Sequence, residues 1–206
     1  MSLQIAGRDV SRETFDRLIH FRDLVTKWTR KINLIAPATL PHIWERHIVD
    51  SAQTYHFAPE SFSRWVDIGS GGGFPGIVMA IYAKEHQKSA HFTLIESDQR
   101  KATFLRTESR ELDLHSTNLT ERIAVATPQR ADVVSARALA PLSALLPMAE
   151  RHITPNGTAL FPKGKSVAEE IADARQSWSY DLEQYPSFPD AAARLLDIQR
   201  ISSAGA

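Results

Sequence analysis

Cysteine is absent from the 206 residues. Without thiols there is no disulfide framework and no thiolate metal site. An excess of charge is missing too: 24 Lys and Arg stand against 24 Asp and Glu. Nothing global therefore draws the chain to nucleic acid or anionic lipid, and any such binding must come from a local patch. No stretch approaches the roughly 20 apolar residues of a membrane span, and "MSLQIAGRDVSRETF" holds no apolar run of signal-peptide length. A soluble, cytoplasmic protein that does not engage membranes is expected. Internal repeats and low-complexity tracts are also lacking. What remains is ordinary in bulk: 43% hydrophobic content, enough to bury a core in one domain with a small extension.

The patterning is more informative. Phe15, Leu18/Ile19, Val25, Trp28 and Ile32 recur at helical spacing behind Ser11, a suitable N-cap, with Glu13 in the first turn. A second helical pattern runs from about Thr39 to Gln53, with Ile43, Trp44, His47, Ile48 and Ala52 near one face. No strand signal precedes these, so residues 1–58 are expected to form a small helical extension packed on the rest. From residue 59 to 206 the texture alternates. "RWVDIG", "HFTLIES", "RIAVA", "ADVVSARA" and "GTALFP" read as strands, with "PGIVMAIYAKEH", "DQRKATFLRTESREL", "PLSALLPMAERH" and "SVAEEIADARQSW" as helices. "DLEQYPSF" and "ARLLDIQRI" follow as two strands with no helix between them. The pattern predicts an α/β fold with a mostly parallel seven-stranded sheet and an antiparallel edge hairpin.

The first of these strands runs into "VDIGSGGGFPG", five glycines in the eight residues Gly69 to Gly76. Such sheets bind ligands beyond the carboxyl ends of their strands, and glycine there lets backbone approach a ligand closely. Two registers compete. Gly71-x-Gly73-x-x-Gly76 is a formal dinucleotide fingerprint, whereas Asp67 followed by Gly69-x-Gly71-x-Gly73 suits a methyl donor. An acid before the loop repels a pyrophosphate but favours the ammonium and sulfonium of S-adenosylmethionine. Pro75 offers no free amide to a phosphate. Glu96, at the end of the second strand, fits either ligand as an acceptor for ribose hydroxyls. The methyl-donor register fits better.

Further stretches carry a specific resemblance. "VDIGSGGGFPGIVMAI", "KWTRKINLI", "ERHIVDSAQ", "HFTLIESDQRKATFLR", "VVSARALAPL" and "LFPKGK" occur in this order. Together they resemble the bacterial 16S ribosomal RNA guanine-N7 methyltransferases, the glucose-inhibited division protein B family, over roughly residues 15 to 170. The resemblance implies a class I, Rossmann-like methyltransferase fold. It also implies methyl transfer from S-adenosyl-L-methionine to N7 of guanine 527 in the 530 loop of 16S rRNA, with S-adenosyl-L-homocysteine as product and no metal. The partner so implied is 16S rRNA in the small subunit or an assembly intermediate; the sequence leaves oligomeric state open, with a monomer as the default expectation. By position, the cofactor would be held by Asp67, Gly69, Gly71, Gly73, Phe74 and Glu96, with Ile123 and Ala124 flanking its adenine and Arg137 beside it and the target base.

Departures limit the transfer. Glu96 replaces a frequent Asp, Ala124 stands where an acid is usual, and Ile35 and Ala136 replace a Thr and a Ser. Guanine N7 has an in-plane lone pair, so the chemistry asks for alignment and charge control rather than a base. Arg137, Arg46 and His47 are the candidate catalytic groups. Arg137 either contacts guanine or a phosphate, or pairs with a carboxylate on the surface. Asp50 lies four residues after Arg46, so a helical ion pair is the plain alternative there, and His47 is equally a structural histidine. Lys27, Arg30, Lys31, Arg46, Lys163 and Lys165 are the candidate RNA contacts, with helix-dipole pairing and simple solvation as alternatives. A nicotinamide-dependent oxidoreductase, a non-catalytic RNA-binding factor and a methyltransferase for another acceptor are the rival functions.

Overall fold

A computed structural model describes residues 3–188 and 190–204. Seven strands form one sheet: β3 (Arg64–Ile68), β4 (His91–Ile95), β5 (Ser116–Leu119), β6 (Ala131–Ser135), β7 (Ile153–Lys163), β8 (Trp178–Pro186) and β9 (Arg194–Ser203). Their order is β5-β4-β3-β6-β7-β9-β8. The five strands from β5 to β7 pair in parallel, while β9 runs antiparallel to both β7 and β8. Strand order reverses between β3 and β6, so the crevice beyond their carboxyl ends is the expected ligand site.

The alternation of side chains explains two cores on one sheet. Trp65 of β3 points to one face with Phe92 and Leu94, whereas Val66 and Ile68 point to the other with Val134. The first face is covered by α1 (Arg12–Ile32), α3 (Gly76–His86) and α4 (Gln99–Glu111), the second by α5 (Leu142–His152) and α6 (Val167–Ala174). In α3 every residue from Gly76 to Ala83 is buried, because sheet and helices enclose it on all sides. Ser11 caps α1 by accepting from Thr14 N, and Asp98 caps α4 by accepting from Arg100 N and Lys101 N. Pro147 lies inside α5, as its sequence position requires.

Three expectations need correction. The chain does not begin all-helical: β1 (Leu3–Ile5) and β2 (Arg8–Val10) form a hairpin around Ala6 and Gly7, both at positive φ. Ala-Gly is a weak turn signal, and only Ile5 and Val10 are buried, so the pattern is too short to read. The second helix is a composite. It comprises a 3₁₀ turn at Pro37–His42, a π-helical segment at Trp44–Val49, a short α2 (Asp50–Ala52) and another 3₁₀ turn at Gln53–Phe57. "RIAVA" is a turn, since the third strand lies earlier, in the polar "STNL" of β5. That strand is at the sheet edge and half in water, so it needs no apolar run.

Residues of the N-terminal segment, including Ile5, Leu18, Phe21, Val25 and Ile48, share one hydrophobic cluster with Phe74, Ile77 and Phe104. A boundary at 58/59 would cut through that cluster. Among the described residues no helix is long and apolar enough to cross a membrane.

One buried group on the inner side of α4 is costly. Glu108 is fully buried, and neither carboxylate oxygen has a hydrogen-bond partner among the described residues. Burial, with the Glu111 charge adding to it, raises its pKa from 4.5 to about 8. The folded chain therefore holds a proton that the unfolded chain releases, and stability falls as pH rises from 4.5 through about 8. Glu108→Gln should raise the thermal midpoint over wild type by more at about pH 9 than at about pH 5. A calorimetric difference that is the same at both pH values would refute this account.

Candidate active site

The glycine loop leaves β3 and turns over the end of β4, where Gly69 N and Ser70 N both donate to Ile95 O, at 2.9 and 3.1 Å. Gly69 adopts φ 67°, and a Cβ there would lie 2.6 Å from Leu139 Cδ1. The backbone region is what demands glycine, since the Leu139 side-chain tip could move aside. Gly76 meets a different demand, since a Cβ there would lie 2.7 Å from Asp67 Oδ2. That contact shows where Asp67 points. It has the same strand parity as Trp65, so its carboxylate turns beneath α3 and is buried. Trp65 Nε1 donates to Ser135 Oγ at 2.8 Å, and Ser135 Oγ donates to Asp67 Oδ1 at 2.6 Å. Burial raises its pKa to about 6, with the Ser135 bond opposing. The expected carboxylate at the mouth of the loop is therefore corrected: Asp67 supports the loop from below and does not line the cleft above it.

That cleft has a volume of about 770 Å³. Gly69 to Gly72, Phe74, Glu96, Ile123, Ala124, Arg137 and Leu139 are on its walls, while Gly73 is not. Glu96 Oε2 accepts from Gly71 N at 2.9 Å and Oε1 accepts from Asp98 N at 2.8 Å. A carboxylate already accepts from the Gly71 amide, which disfavours a pyrophosphate at that amide and favours the methyl-donor register. The 123–126 turn is fastened from α5: the His152 ring meets Ile123 O at 3.0 Å, and Arg151 donates to Ala126 O at 2.9 Å.

Arg137 stands where this cleft meets a second, of about 710 Å³, and lines both. Its Nη1 donates to Asp50 Oδ2 at 2.9 Å and to Arg46 O at 3.2 Å, its Nη2 lies 2.6 Å from His47 Nδ1, and its guanidinium sits 5.0 Å from the Phe74 ring centroid. Guanidinium only donates, so His47 Nδ1 is the acceptor and the neutral ring carries its proton on Nε2. That proton goes to Thr39 Oγ1, 2.9 Å away, and Thr39 in turn donates to Ala36 O at 2.8 Å. His47 is thus committed at both nitrogens and orients Arg137. The helical pair of Arg46 with Asp50 does not form. Across the π-helical segment Asp50 N reaches back to Glu45 O, and its carboxylate pairs with Arg137, leaving Arg46 exposed on the wall of the second cleft. Asp50 and Thr39 were not singled out as site residues, although Asp50 lies within the "ERHIVDSAQ" segment that carries the resemblance.

The lysines divide. Lys163 turns inward, with Nζ 2.7 Å from both Ala140 O and Glu170 Oε2, so its charge is spent inside the protein. Glu170 Oε2 also accepts from Leu142 N at 2.9 Å, and the group fixes the 138–142 loop between the clefts. Lys165 is exposed beside Gly164. Lys27, Arg30 and Lys31 surround a separate depression on α1 that shares no lining residue with either cleft. Among the described residues no group of three or more His, Asp or Glu is gathered as a metal would require.

Known proteins resemble this chain over most of its length. A family model described as rRNA small subunit methyltransferase G matches residues 14–196. Ribosomal RNA small subunit methyltransferase G of Cereibacter sphaeroides is 50% identical, with 96% of each chain covered. Its counterpart from Ruegeria pomeroyi is 46% identical over 94% of this chain and 95% of the relative. Among solved structures, the 16S rRNA methylase RmtB superposes with a TM-score of 0.55 at 14% identity, covering 95% of this chain and 78% of that one. The M. jannaschii TYW2 complex with AdoMet gives 0.54 at 12% identity, covering 77% and 76%. At such identities the structures show a shared fold.

Burial, then the Arg137 and Arg46 charges, lowers the pKa of His47 from 6.5 to about 4. The unfolded chain takes up this proton below pH 6.5 and the folded chain refuses it until about pH 4. The stability this contributes is whole above pH 6.5 and is lost as pH falls through about 4. His47→Gln should flatten the rise of unfolding free energy between these pH values by up to about one proton's worth of slope. Urea titrations at several pH values would measure it, and parallel profiles for the two proteins would contradict it.

Proposed function

The chain belongs to the rRNA small subunit methyltransferase G family, and on that premise we propose that it methylates N7 of guanine 527, in the 530 loop of 16S rRNA, with S-adenosyl-L-methionine as donor. The observation that carries this reading is the meeting of two clefts at one fixed cation, Arg137. The glycine-loop cleft is assigned to the donor and the second cleft to the guanine.

The residues present fit the donor. A carboxylate, Glu96, stands half-buried in a cleft whose walls combine loop backbone and apolar groups such as Ile95, Leu139 and Met148 with charged side chains at Lys101, Glu121, Arg122 and Arg137. That is a suitable acceptor for ribose hydroxyls, with apolar surface for an adenine beside Ile123 and Ala124. Gly69 and Gly71 let the loop backbone come close, while Asp67 holds its shape through Ser135 and Gly76. When bound, the donor supplies a methyl group already activated on a sulfonium.

The protein's own part is alignment. No proton must leave N7 before attack, so the reaction asks the site for no general base. Three contacts occupy both N–H groups of Nη1 and one of Nη2. A guanidinium has five N–H donors, so two are left for guanine O6. Asp50 offsets the Arg137 charge, which limits repulsion as positive charge develops on the guanine ring. Phe74, 5.1 Å from His47 by ring centroids, backs the cation and separates it from α1. The exposed Arg46 and Lys165 serve flanking phosphates, and Lys27, Arg30 and Lys31 serve a more distant part of the RNA. The zero formal net charge gives weak affinity for bare RNA, so the substrate is an assembled or assembling small subunit met by a monomer in the cytoplasm.

Incubation with labelled donor and small subunits lacking the modification should place label at N7 of that guanine; its absence there defeats the assignment. Protein-free transcript should turn over much more slowly. Arg137→Lys keeps a charge for Asp50 but loses the fork of donors. It should lower kcat by on the order of 10²–10³ while shifting the thermal midpoint little. Near-normal turnover would remove Arg137 from the mechanism.

A further inference from the structure

Among the described residues the exposed large hydrophobic side chains are Val125 and Phe188, each 68% exposed. Each adjoins a cleft-lining residue in the chain: Val125 follows Ile123 and Ala124 of the first cleft, and Phe188 follows Ser187 of the second. A phenyl ring left in water forgoes burial free energy that any partner covering it would recover. The loop beneath it is firmly tied. Phe188 N donates to Gln53 Oε1 at 2.6 Å, and Gln53 Nε2 donates back to Phe188 O, so one side-chain amide clasps both backbone groups. Ser187 N donates to Ala193 O at 3.2 Å, closing the base of the β8–β9 loop. Ser187 Oγ also donates to Asp50 Oδ1 at 3.4 Å, and the other oxygen of Asp50 holds Arg137. Phe188 is therefore presented from a fixed backbone tied to the same carboxylate as the central cation.

We infer that Phe188 is a stacking platform for a nucleobase of the RNA strand adjoining the base that enters the second cleft. The inference rests on the rRNA reading above. The second cleft beside it carries Arg46, Arg137, Ser187 and Asp190 along with Ala138, Pro141 and Pro162, and a single flat ring is too small on its own for an apolar protein interface. An unstacked base needs what is there: one aromatic face, with a cation nearby for the adjoining phosphate. A fixed backbone lowers the entropy cost of the contact.

Steady-state methylation of small subunits lacking the modification tests this with Phe188→Ala, Phe188→Tyr and Phe188→Trp. Phe188→Ala should raise KM for subunits about ten-fold, the effect of losing one base–aromatic stack. KM for the methyl donor and the thermal midpoint should not change, and Tyr and Trp should restore wild-type behaviour. An unchanged KM in Phe188→Ala, or a defect that Tyr and Trp do not repair, overturns the inference. A binding arm needs no turnover: the emission that Phe188→Trp adds to wild type should be quenched when small subunits are titrated in. Subunits methylated by wild type without that quenching reject the platform alone. If wild type leaves subunits unmethylated, the proposed function fails, and the quenching still decides the inference: its presence supports the platform and its absence rejects it.

Discussion

A charged guanidinium withdrawn from water must be met by acceptors, and Arg137 organises the site through that requirement. It follows β6 in a parallel sheet, yet its three partners, Asp50, Arg46 O and His47, all come from the irregular helical segment before β3. Removing one partner of a buried ion pair typically costs about 3–5 kcal/mol. Here 14% of the Arg137 and 24% of the Asp50 side chain remain exposed, so the value is lower. The pair adds a polar tie between the N-terminal segment and the sheet's carboxyl edge to the hydrophobic cluster that they share. The segment also closes one side of both clefts, and the i,i+3 spacing of His47 and Asp50 brings both to the same cation.

A second buried network works from the other side. Trp65, Ser135 and Asp67 link β3 to β6 at the point where strand order reverses. The hydrogen bonds order the carboxylate, and Gly76 gives it room under α3. The first residues of the loop are thereby fixed below by Asp67, while Glu96 fixes Gly71 from the neighbouring strand. Two acids thus act on the loop in different ways. One is enclosed and structural, and one is half-buried and faces the cleft.

The sheet and its covering helices were legible because hydrophobic period and caps agree: Ser11, Asp98 and the α3 run "GIVMAIYA" each leave a local signature. The edge strand β5 was missed because a strand bathed on one side need not be apolar, and "RIAVA" nearby imitates one. The candidate site was legible as a set of segments but not as contacts. Spacing alone cannot show that Asp50 prefers a cation 87 residues away to one four residues away. Strand parity did bear on Asp67: counting from Trp65 puts its side chain on the α3 face. Lys163 gave no such warning, since its neutralising partner Glu170 lies beyond an intervening turn.

These internal pairings bear on how a neutral chain could act on a polyanion. Arg137 is offset by Asp50 and Lys163 by Glu170, so the two innermost cations contribute little long-range attraction. What they contribute is geometry. Lys163 and Glu170 fix the 138–142 loop, whose residues Ala138 and Leu139 form a wall common to both clefts. A site built this way gains little from binding RNA tightly and much from receiving one base in one orientation. On the proposed reading, the surrounding subunit supplies the remaining contacts and selectivity follows from fit. An uncompensated basic cleft would attract any RNA strand, and here the inner cations are already answered by Asp50 and Glu170.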